Sequence, residues 1–160
     1  MASLTARLFI EIERKIYMAT KYCHLYCNNP TVGLADGTCI SEDGAETSPI
    51  AFTLNATAAE AQAQKLSIRC DVGYKTSGTI TLSFDGSSKD KWFLAPDSSY
   101  ATAADALAKA TWADKLVISD SVGAVNIIFW VKAASSTDEN PKNDESVHLV
   151  SDTNAIVQKA

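Results

Sequence analysis

The sequence lacks several features that enzymes and membrane proteins require. Its 160 residues include only two histidines, and neither lies in a recognisable catalytic motif. Gly73 and Gly78 do not precede a predicted helix, so they do not form a phosphate-binding loop. The most apolar run, residues 125–131, is interrupted by Asn126 and is far shorter than the ~18 residues of a membrane-spanning helix. These absences favour a non-enzymatic protein without a cofactor and without a membrane partner.

Positive charge is also scarce. The chain has 14 Lys and Arg residues against 19 Asp and Glu residues, for a net charge of −5. Nucleic acid is therefore not expected as a partner, because its phosphates require a basic surface. Residues 1–21 are the exception, since they carry four basic residues against two acidic ones. This segment is suited to contact an acidic surface, although a solvated charged face is the alternative.

The four cysteines are predicted to be free thiols. Charged residues at 11–15 interrupt the first apolar stretch, so no secretory signal is expected and assembly should occur in a reducing cytoplasm. Cys23, His24, Cys27 and Cys39 superficially suggest zinc ligands. In a strand, however, His24 would point away from its neighbouring cysteines, and a second pair of closely spaced ligands is missing. Cysteines packed as small apolar residues, with no metal, are the favoured interpretation.

Residues 48–151 have the pattern of an all-β sandwich, in which short strands alternate with turn residues. Leu66, Ile68, Cys70 and Val72 alternate with polar residues and predict one apolar strand face. Seven strands are predicted within this range, at 48–54, 65–72, 79–84, 91–95, 115–119, 125–133 and 146–151. Pro49 places the first of them at a sheet edge, because proline cannot donate to a central ladder.

One short crossover helix is predicted within residues 100–113. The stretch is rich in alanine and begins Thr102-Ala103-Ala104-Asp105, which resembles a capping box. Asp105 and Lys109 are spaced to pair across one helical turn.

The first 17 residues are predicted to form an arm outside the sandwich. Apolar residues recur there at every fourth position: Leu4, Leu8, Ile12 and Ile16. Glu11 precedes Lys15 by four residues and favours a helix, although the alternation at 8–12 also fits a strand. The predicted organisation is an arm at 1–17, a leading strand and loop at 18–47, the sandwich at 48–151 and a C-terminal tail at 152–160.

The strand at 125–133 carries the most information about interactions. Its odd positions, from Val125 to Ala133, are all apolar and are expected to face the core. The even positions Asn126, Ile128, Trp130 and Lys132 then face outward, where a wet sheet surface is normal, so the apolar Ile128 and Trp130 are unexpected there. We therefore predict Ile128 and Trp130, together with the four apolar residues of the arm, as interface residues. The alternative is that the N-terminal segment covers this face within the same chain.

Several short motifs between residues 18 and 151 resemble those of one family. They are Lys21-Tyr22-Cys23-His24-Leu25-Tyr26-Cys27-Asn28-Asn29-Pro30-Thr31 with Gly33, Asp36-Gly37-Thr38, Ile68-Arg69-Cys70, Gly73-Tyr74, the strand from Ile127 to Ala133, and Asn143-Asp144-Glu145-Ser146-Val147. Together they resemble small immunoglobulin-like structural proteins of tailed bacteriophages. The resemblance implies an immunoglobulin-like antiparallel sandwich in a virion that is assembled in the host cytoplasm. It also implies a capsid decoration or tail accessory protein that binds other virion proteins or itself, with no catalytic residues.

A carbohydrate-binding or adhesion module is the second function class, because a sandwich architecture hosts many unrelated functions. Exposed Trp92, Trp112 or Trp130 would stack on the rings of a surface glycan. A flat row of exposed aromatic residues would favour this class, whereas burial of Trp130 between chains would favour the virion protein.

Overall fold

The computed structural model describes residues 5–11, 22–40, 50–137, 144–151 and 156–159. Within these ranges the chain forms twelve strands, a 3-10 turn at Lys89–Lys91 and one α-helix, α1, at Ala103–Lys109. The strands are β1 Thr5–Glu11, β2 Cys23–Cys27, β3 Thr38–Cys39, β4 Ile50–Asn55, β5 Ala61–Cys70, β6 Tyr74–Ser77, β7 Ile80–Asp85, β8 Trp92–Pro96, β9 Lys115–Ile118, β10 Ile127–Ala134, β11 Asp144–Ser151 and β12 Ile156–Lys159. The prediction of an all-β protein with one short helix is confirmed. In these ranges no helix is long and apolar enough to cross a bilayer.

The strands form two five-stranded sheets and one small ribbon. The first sheet has the order β4-β1-β11-β7-β9, the second has the order β3-β2-β5-β10-β8, and β6 pairs with β12. The neighbouring strands are antiparallel except β1 and β11, which run parallel. Each sheet places alternate side chains on its inner face, so the two apolar faces can close on each other.

The core lies between these two sheets. The Trp92 ring of β8 contacts Phe52 of β4 and Phe84 of β7, with ring centroids 5.4 and 5.6 Å apart. These contacts join the second sheet to the first. Phe129 of β10 is 1% exposed and belongs to the same cluster. Burial of each such side chain contributes roughly 1.5–3 kcal/mol to folding.

All seven predicted strands overlap strands of the structure, and β4 lies at a sheet edge as Pro49 predicted. The total is larger than the predicted number of about seven. β3, β6 and β12 are only two to four residues long, too short to show a periodic pattern. Val72 was predicted to face the core but is 89% exposed, because β5 ends at Cys70 and Val72 lies in the following turn.

The helix α1 begins as its sequence predicts. Thr102 is the N-cap residue, and its side-chain oxygen accepts a hydrogen bond of 3.1 Å from the Asp105 backbone N–H. Lys109 donates to the Asp105 carboxylate at 2.8 Å. The cap satisfies one of the free N–H groups at the start of the helix. On its opposite side α1 packs against β5, with Ala106 fully buried.

The N-terminal segment is a strand where it is described, so the helix prediction is wrong for residues 5–11. β1 lies inside the first sheet, antiparallel to β4 and parallel to β11. The segment is therefore not an arm outside the sandwich at these positions. The pattern of residues 8–12 fits both periods, and for residues 8–11 the pairing with β4 and β11 decides in favour of a strand, because both neighbours offer backbone hydrogen-bond partners.

Candidate interaction surface

The outer face of the second sheet is partly covered by the same chain, which changes the role predicted for Trp130. This residue is only 2% exposed. Its Nε1–H donates a 2.8 Å hydrogen bond to the carboxylate of Asp97, and the Tyr100 ring meets it edge-on with centroids 6.2 Å apart. Ala95 and Ala106 complete this small buried cluster. Trp130 is thus anchored inside the chain and is not available to a partner.

Ile128 is likewise only 8% exposed. The prediction that Ile128 and Trp130 are exposed interface residues is therefore wrong. The alternation of β10 holds for its core face, where Phe129, Val131 and Ala133 are all buried. Among the described residues, the second layer over Trp130 comes from the connection between β8 and β9, which includes Asp97, Tyr100 and α1.

Lys132 extends across this second layer. Its ammonium lies 4.9 Å from the Trp112 ring centroid and 4.5 Å from that of Phe93. Partial burial lowers the pKa of Lys132, because a low-dielectric environment disfavours the charged form. The two rings offset part of that cost through cation–π attraction.

The loop between β2 and β3, residues 28–37, is shaped by residues that accept a left-handed backbone. Asn28 and Asn29 have φ of 61° and 57°, a region that asparagine tolerates better than most residues. Gly37 has φ of 96°, and a Cβ atom there would meet the Cys27 carbonyl oxygen at 2.9 Å. The Asn28 amide also donates to the Thr38 hydroxyl at 2.7 Å. These left-handed backbone conformations and the Asn28–Thr38 hydrogen bond turn the loop back on itself, so that it does not lengthen the β2–β3 hairpin.

Asn126 fastens this loop to the second sheet with its side chain. It lies just before β10 and is 2% exposed. Its amide oxygen accepts hydrogen bonds from the Ser67 hydroxyl at 2.9 Å and from Arg69 Nη1 at 2.6 Å. Its amide nitrogen donates to the Thr31 carbonyl at 3.1 Å and to Asp36 Oδ1 at 2.8 Å. A buried amide that is satisfied in this way stabilises one conformation of the loop.

The backbone of Asn126 makes a second connection to the same loop. Its N–H donates to the Leu34 carbonyl at 2.7 Å, and its carbonyl accepts from the Gly33 N–H at 3.1 Å. The loop is therefore paired with residue 126 in the manner of a short additional strand. Asn126 was expected to face solvent on a wet sheet surface, and this expectation is wrong because the loop covers it.

Asp36 and Arg69 complete the fastening. The Thr31 backbone N–H donates to Asp36 Oδ1 at 2.8 Å, and this hydrogen bond is the main reason that the pKa of Asp36 is lowered. Hydrogen bonds to the ionised carboxylate favour that form. Arg69 donates to the Asp36 carbonyl at 2.5 Å, and its guanidinium lies 3.3 Å from the Tyr26 ring centroid. The Asp36 carboxylate and the Arg69 guanidinium thus stabilise the conformation of the loop.

The loop presents apolar side chains to solvent. Val32 is 69% exposed and Leu34 is 55% exposed. Val125 is 49% exposed and precedes the residue whose N–H bonds to Leu34. We call these three residues the loop patch. Val125 was predicted to face the core, but β10 begins only at Ile127, so Val125 lies in the connection before the strand.

The described residues contain no group of three or more His, Cys, Asp or Glu side chains that would hold a metal ion. His24 lies 3.7 Å from the Asp71 carboxylate in the turn after β5. A cleft of about 300 Å³ separates the loop from α1, with Asn29, Lys65, Thr102 and Trp130 among its lining residues. What this site offers a partner is the apolar surface of the loop patch, on a loop whose backbone is held by hydrogen bonds to Asn126.

Of the other predicted interface residues, Leu8 lies in β1, and Leu4, Ile12 and Ile16 lie outside the described residues. The sequence patterns did not identify Val32 and Leu34 as surface contacts, or Asn126 as the hub, the buried residue that joins the loop to the second sheet by hydrogen bonds. A usable signal was present, since Val32 and Leu34 are apolar residues in a segment that is otherwise rich in Gly, Asp and Asn. Asn126 gave the opposite signal, because a polar residue at an even strand position usually faces water.

The described part of the protein is thus mostly β, with two packed and largely antiparallel sheets and one short helix. Comparisons of the chain with protein-family models, with curated proteins and with solved structures found no match.

Proposed function

We propose that this protein is a non-enzymatic virion structural protein of a tailed bacteriophage, with an immunoglobulin-like sandwich that binds a neighbouring virion protein through the loop patch. A capsid decoration protein or a tail accessory protein would both use such a surface. The observation that carries the proposal is the exposure of Val32 and Leu34 on a loop whose backbone is fastened by Asn126.

A fastened loop is well suited to binding. Ordering a flexible backbone costs about 1–2 kcal/mol per residue, and a loop that is already ordered avoids that cost when a partner docks. Each Å² of apolar surface that the partner covers then contributes about 25 cal/mol. A single exposed apolar residue would need no explanation, but three of them share this one site.

The resemblance to phage proteins supports the same proposal from a different direction. The motif residues Asp36, Arg69 and Thr31 are among those that bond to Asn126 or to each other beneath the loop. The quoted motifs thus include the residues that hold the loop in position. Two sheets that pack face to face are also the architecture of an immunoglobulin-like sandwich.

Burial of tryptophan weighs against the carbohydrate-binding alternative. Trp92 and Trp130 are 0% and 2% exposed, so neither ring is open to a sugar. Trp112 is half-buried, and the Lys132 ammonium lies over its ring. A glycan would have to be bound by other residues.

The test uses virions from cells that carry the gene, separated on a density gradient. The double variant Val32→Ser/Leu34→Ser removes the apolar contacts, and Val117→Ser is the matched control. Val117 is 59% exposed but lies on β9 at the edge of the first sheet. We expect the wild type and the control to sediment with particles and the double variant to stay near the top.

Melting curves of the three proteins should agree, because all the substituted side chains are exposed. A double variant that sediments with particles like the wild type would remove the loop patch from the interface. A wild-type protein that is absent from purified virions would overturn the virion proposal itself.

A further inference from the structure

Two of the four cysteines face each other across neighbouring strands. Cys23 of β2 is the register partner of Cys70 of β5. The adjacent pair, Tyr22 and Asp71, is joined by a backbone hydrogen bond of 2.7 Å, while the Cys70 N–H turns the other way and donates to the Gly123 carbonyl at 2.7 Å. Hydrogen-bonded and non-hydrogen-bonded pairs alternate along antiparallel strands. Cys23 and Cys70 are therefore a non-hydrogen-bonded pair.

This position brings two side chains closer together than any other in an antiparallel ladder. The Cα atoms of such a pair are about 4.5 Å apart, which lies within the range of roughly 4.4–6.8 Å found in disulfides. The Cys23 side chain hydrogen-bonds to that of Cys70 and thereby lowers the pKa of the Cys70 thiol. Cys70 Sγ also lies 3.4 Å from the Val122 carbonyl oxygen.

We propose that Cys23 and Cys70 form a cross-strand disulfide when the folded protein meets an oxidising small-molecule disulfide, and that this bond locks β2 to β5. The inference depends only on the register of the two strands and is independent of the proposed virion function.

The reaction is a pair of thiol–disulfide exchanges. Cys23 is partly exposed and Cys70 is buried, so the reagent RSSR meets Cys23 first. The Cys23 thiolate attacks one sulfur atom, the S–S electron pair leaves with RS⁻, and a mixed disulfide forms. The Cys70 thiolate then attacks the Cys23 sulfur and expels the second RS⁻. The two cysteines lose two protons and two electrons, and RSSR is reduced to two RSH.

The remaining cysteines are not placed to compete for this bond. Cys39 pairs with Tyr26, and Cys27 pairs with Thr38. Since consecutive strand residues point to opposite faces, the side chains of Cys27 and Cys39 lie on opposite faces of the sheet. Burial also raises the pKa of Cys27, which keeps its thiol protonated and unreactive.

The bond would close a chain segment that includes the loop patch. Its two ends, in β2 and β5, enclose the β2–β3 loop and β4. A cross-link over a long segment stabilises the native state mainly by restricting the unfolded chain. The oxidised protein should therefore melt at a higher temperature than the reduced protein.

The experiment treats the full-length protein with oxidised glutathione without denaturant, followed by alkylation of the remaining thiols. The variant Cys39→Ser removes the exposed thiol and leaves three of the four cysteines. We expect its thiol count to fall from three to one. A digest with trypsin and chymotrypsin separates Cys23 from Cys27, and mass spectrometry should find Cys23 linked to Cys70. The melting temperature should rise in the same sample and return to its starting value after reduction.

Cys23→Ser is the second variant, and it should retain a free Cys70 and show no intramolecular link. The proposal would be overturned if the Cys39→Ser protein kept three thiols. It would also be overturned by a link between other cysteines, or by a Cys23 to Cys70 link that appears only in denaturant.

Discussion

The Asn126 side chain donates a 2.8 Å hydrogen bond to the carboxylate of Asp36, which precedes it by 90 residues. This bond joins the β2–β3 loop to the start of β10. Asn126 also accepts hydrogen bonds from Ser67 and Arg69 of β5. One buried amide therefore connects the β2–β3 loop, β5 and the start of β10. The shape of the exposed loop patch therefore depends on a residue that does not belong to the loop.

Replacement of Asn126 by Ala should destabilise the protein by roughly 2–4 kcal/mol, since several buried partners lose their hydrogen bonds at once. Ser67→Ala removes only one donor of this group and should cost about 1 kcal/mol. Urea denaturation of both variants measures the difference. Equal losses in the two variants would mean that Asn126 is not the hub of the network.

Asp36 should make the stability depend on pH. Its pKa is lowered in the folded protein, so its contribution is present above the ordinary carboxyl pKa of about 3.9 and is lost as the pH falls through the lowered folded value. Asp36→Asn should therefore be less stable than the wild type at neutral pH, and the two should converge in acid. Denaturation across pH 2–7, with Asp120→Asn at an exposed position as the control, tests this. A difference that persists unchanged into acid would contradict a role for the charge.

Trp130 should behave as a core residue and not as an interface residue. Trp130→Ala removes a buried ring and should cost about 3–5 kcal/mol. Trp130→Phe keeps most of the apolar contact, loses the hydrogen bond to Asp97 and should cost about 1 kcal/mol. Val125→Ala, at an exposed position, should change the free energy of unfolding by less than about 0.5 kcal/mol. A loss below about 1 kcal/mol for Trp130→Ala would restore the interpretation that this side chain is exposed.

Deletion of residues 1–17 should do more than remove a docking segment. It takes away β1, which pairs with β4 on one side and β11 on the other, and leaves two rows of backbone groups without partners. We expect a large fall in the melting temperature, or the loss of a cooperative transition, in circular dichroism. Deletion of residues 1–4 is the control because it leaves β1 intact. A protein without residues 1–17 that melts like the full-length chain would show that β1 contributes nothing to the sheet.

Local patterns in the sequence predicted much of the fold. The alternation in β5 and β10 identified strands and the core residues Leu66, Ile68 and Phe129, because burial of one sheet face imposes a period of two. The helix α1 and its cap were also predicted, since Thr102 and Asp105 act on backbone groups within four positions of themselves. These features depend on near neighbours in the chain, so they are readable from the sequence.

The tertiary structure decided what covers each sheet. Alternation places Trp130 on the outer face of β10, but only the path of the β8–β9 connection buries it. Asn126 has the same sequence signature as a solvated residue, and only the fold of the β2–β3 loop turns it into a buried hub. The period of residues 8–12 is ambiguous in the sequence, and for residues 8–11 the pairing with β4 and β11 decides it. In each case the deciding contact joins residues far apart in the chain, and a local pattern carries no information about such contacts.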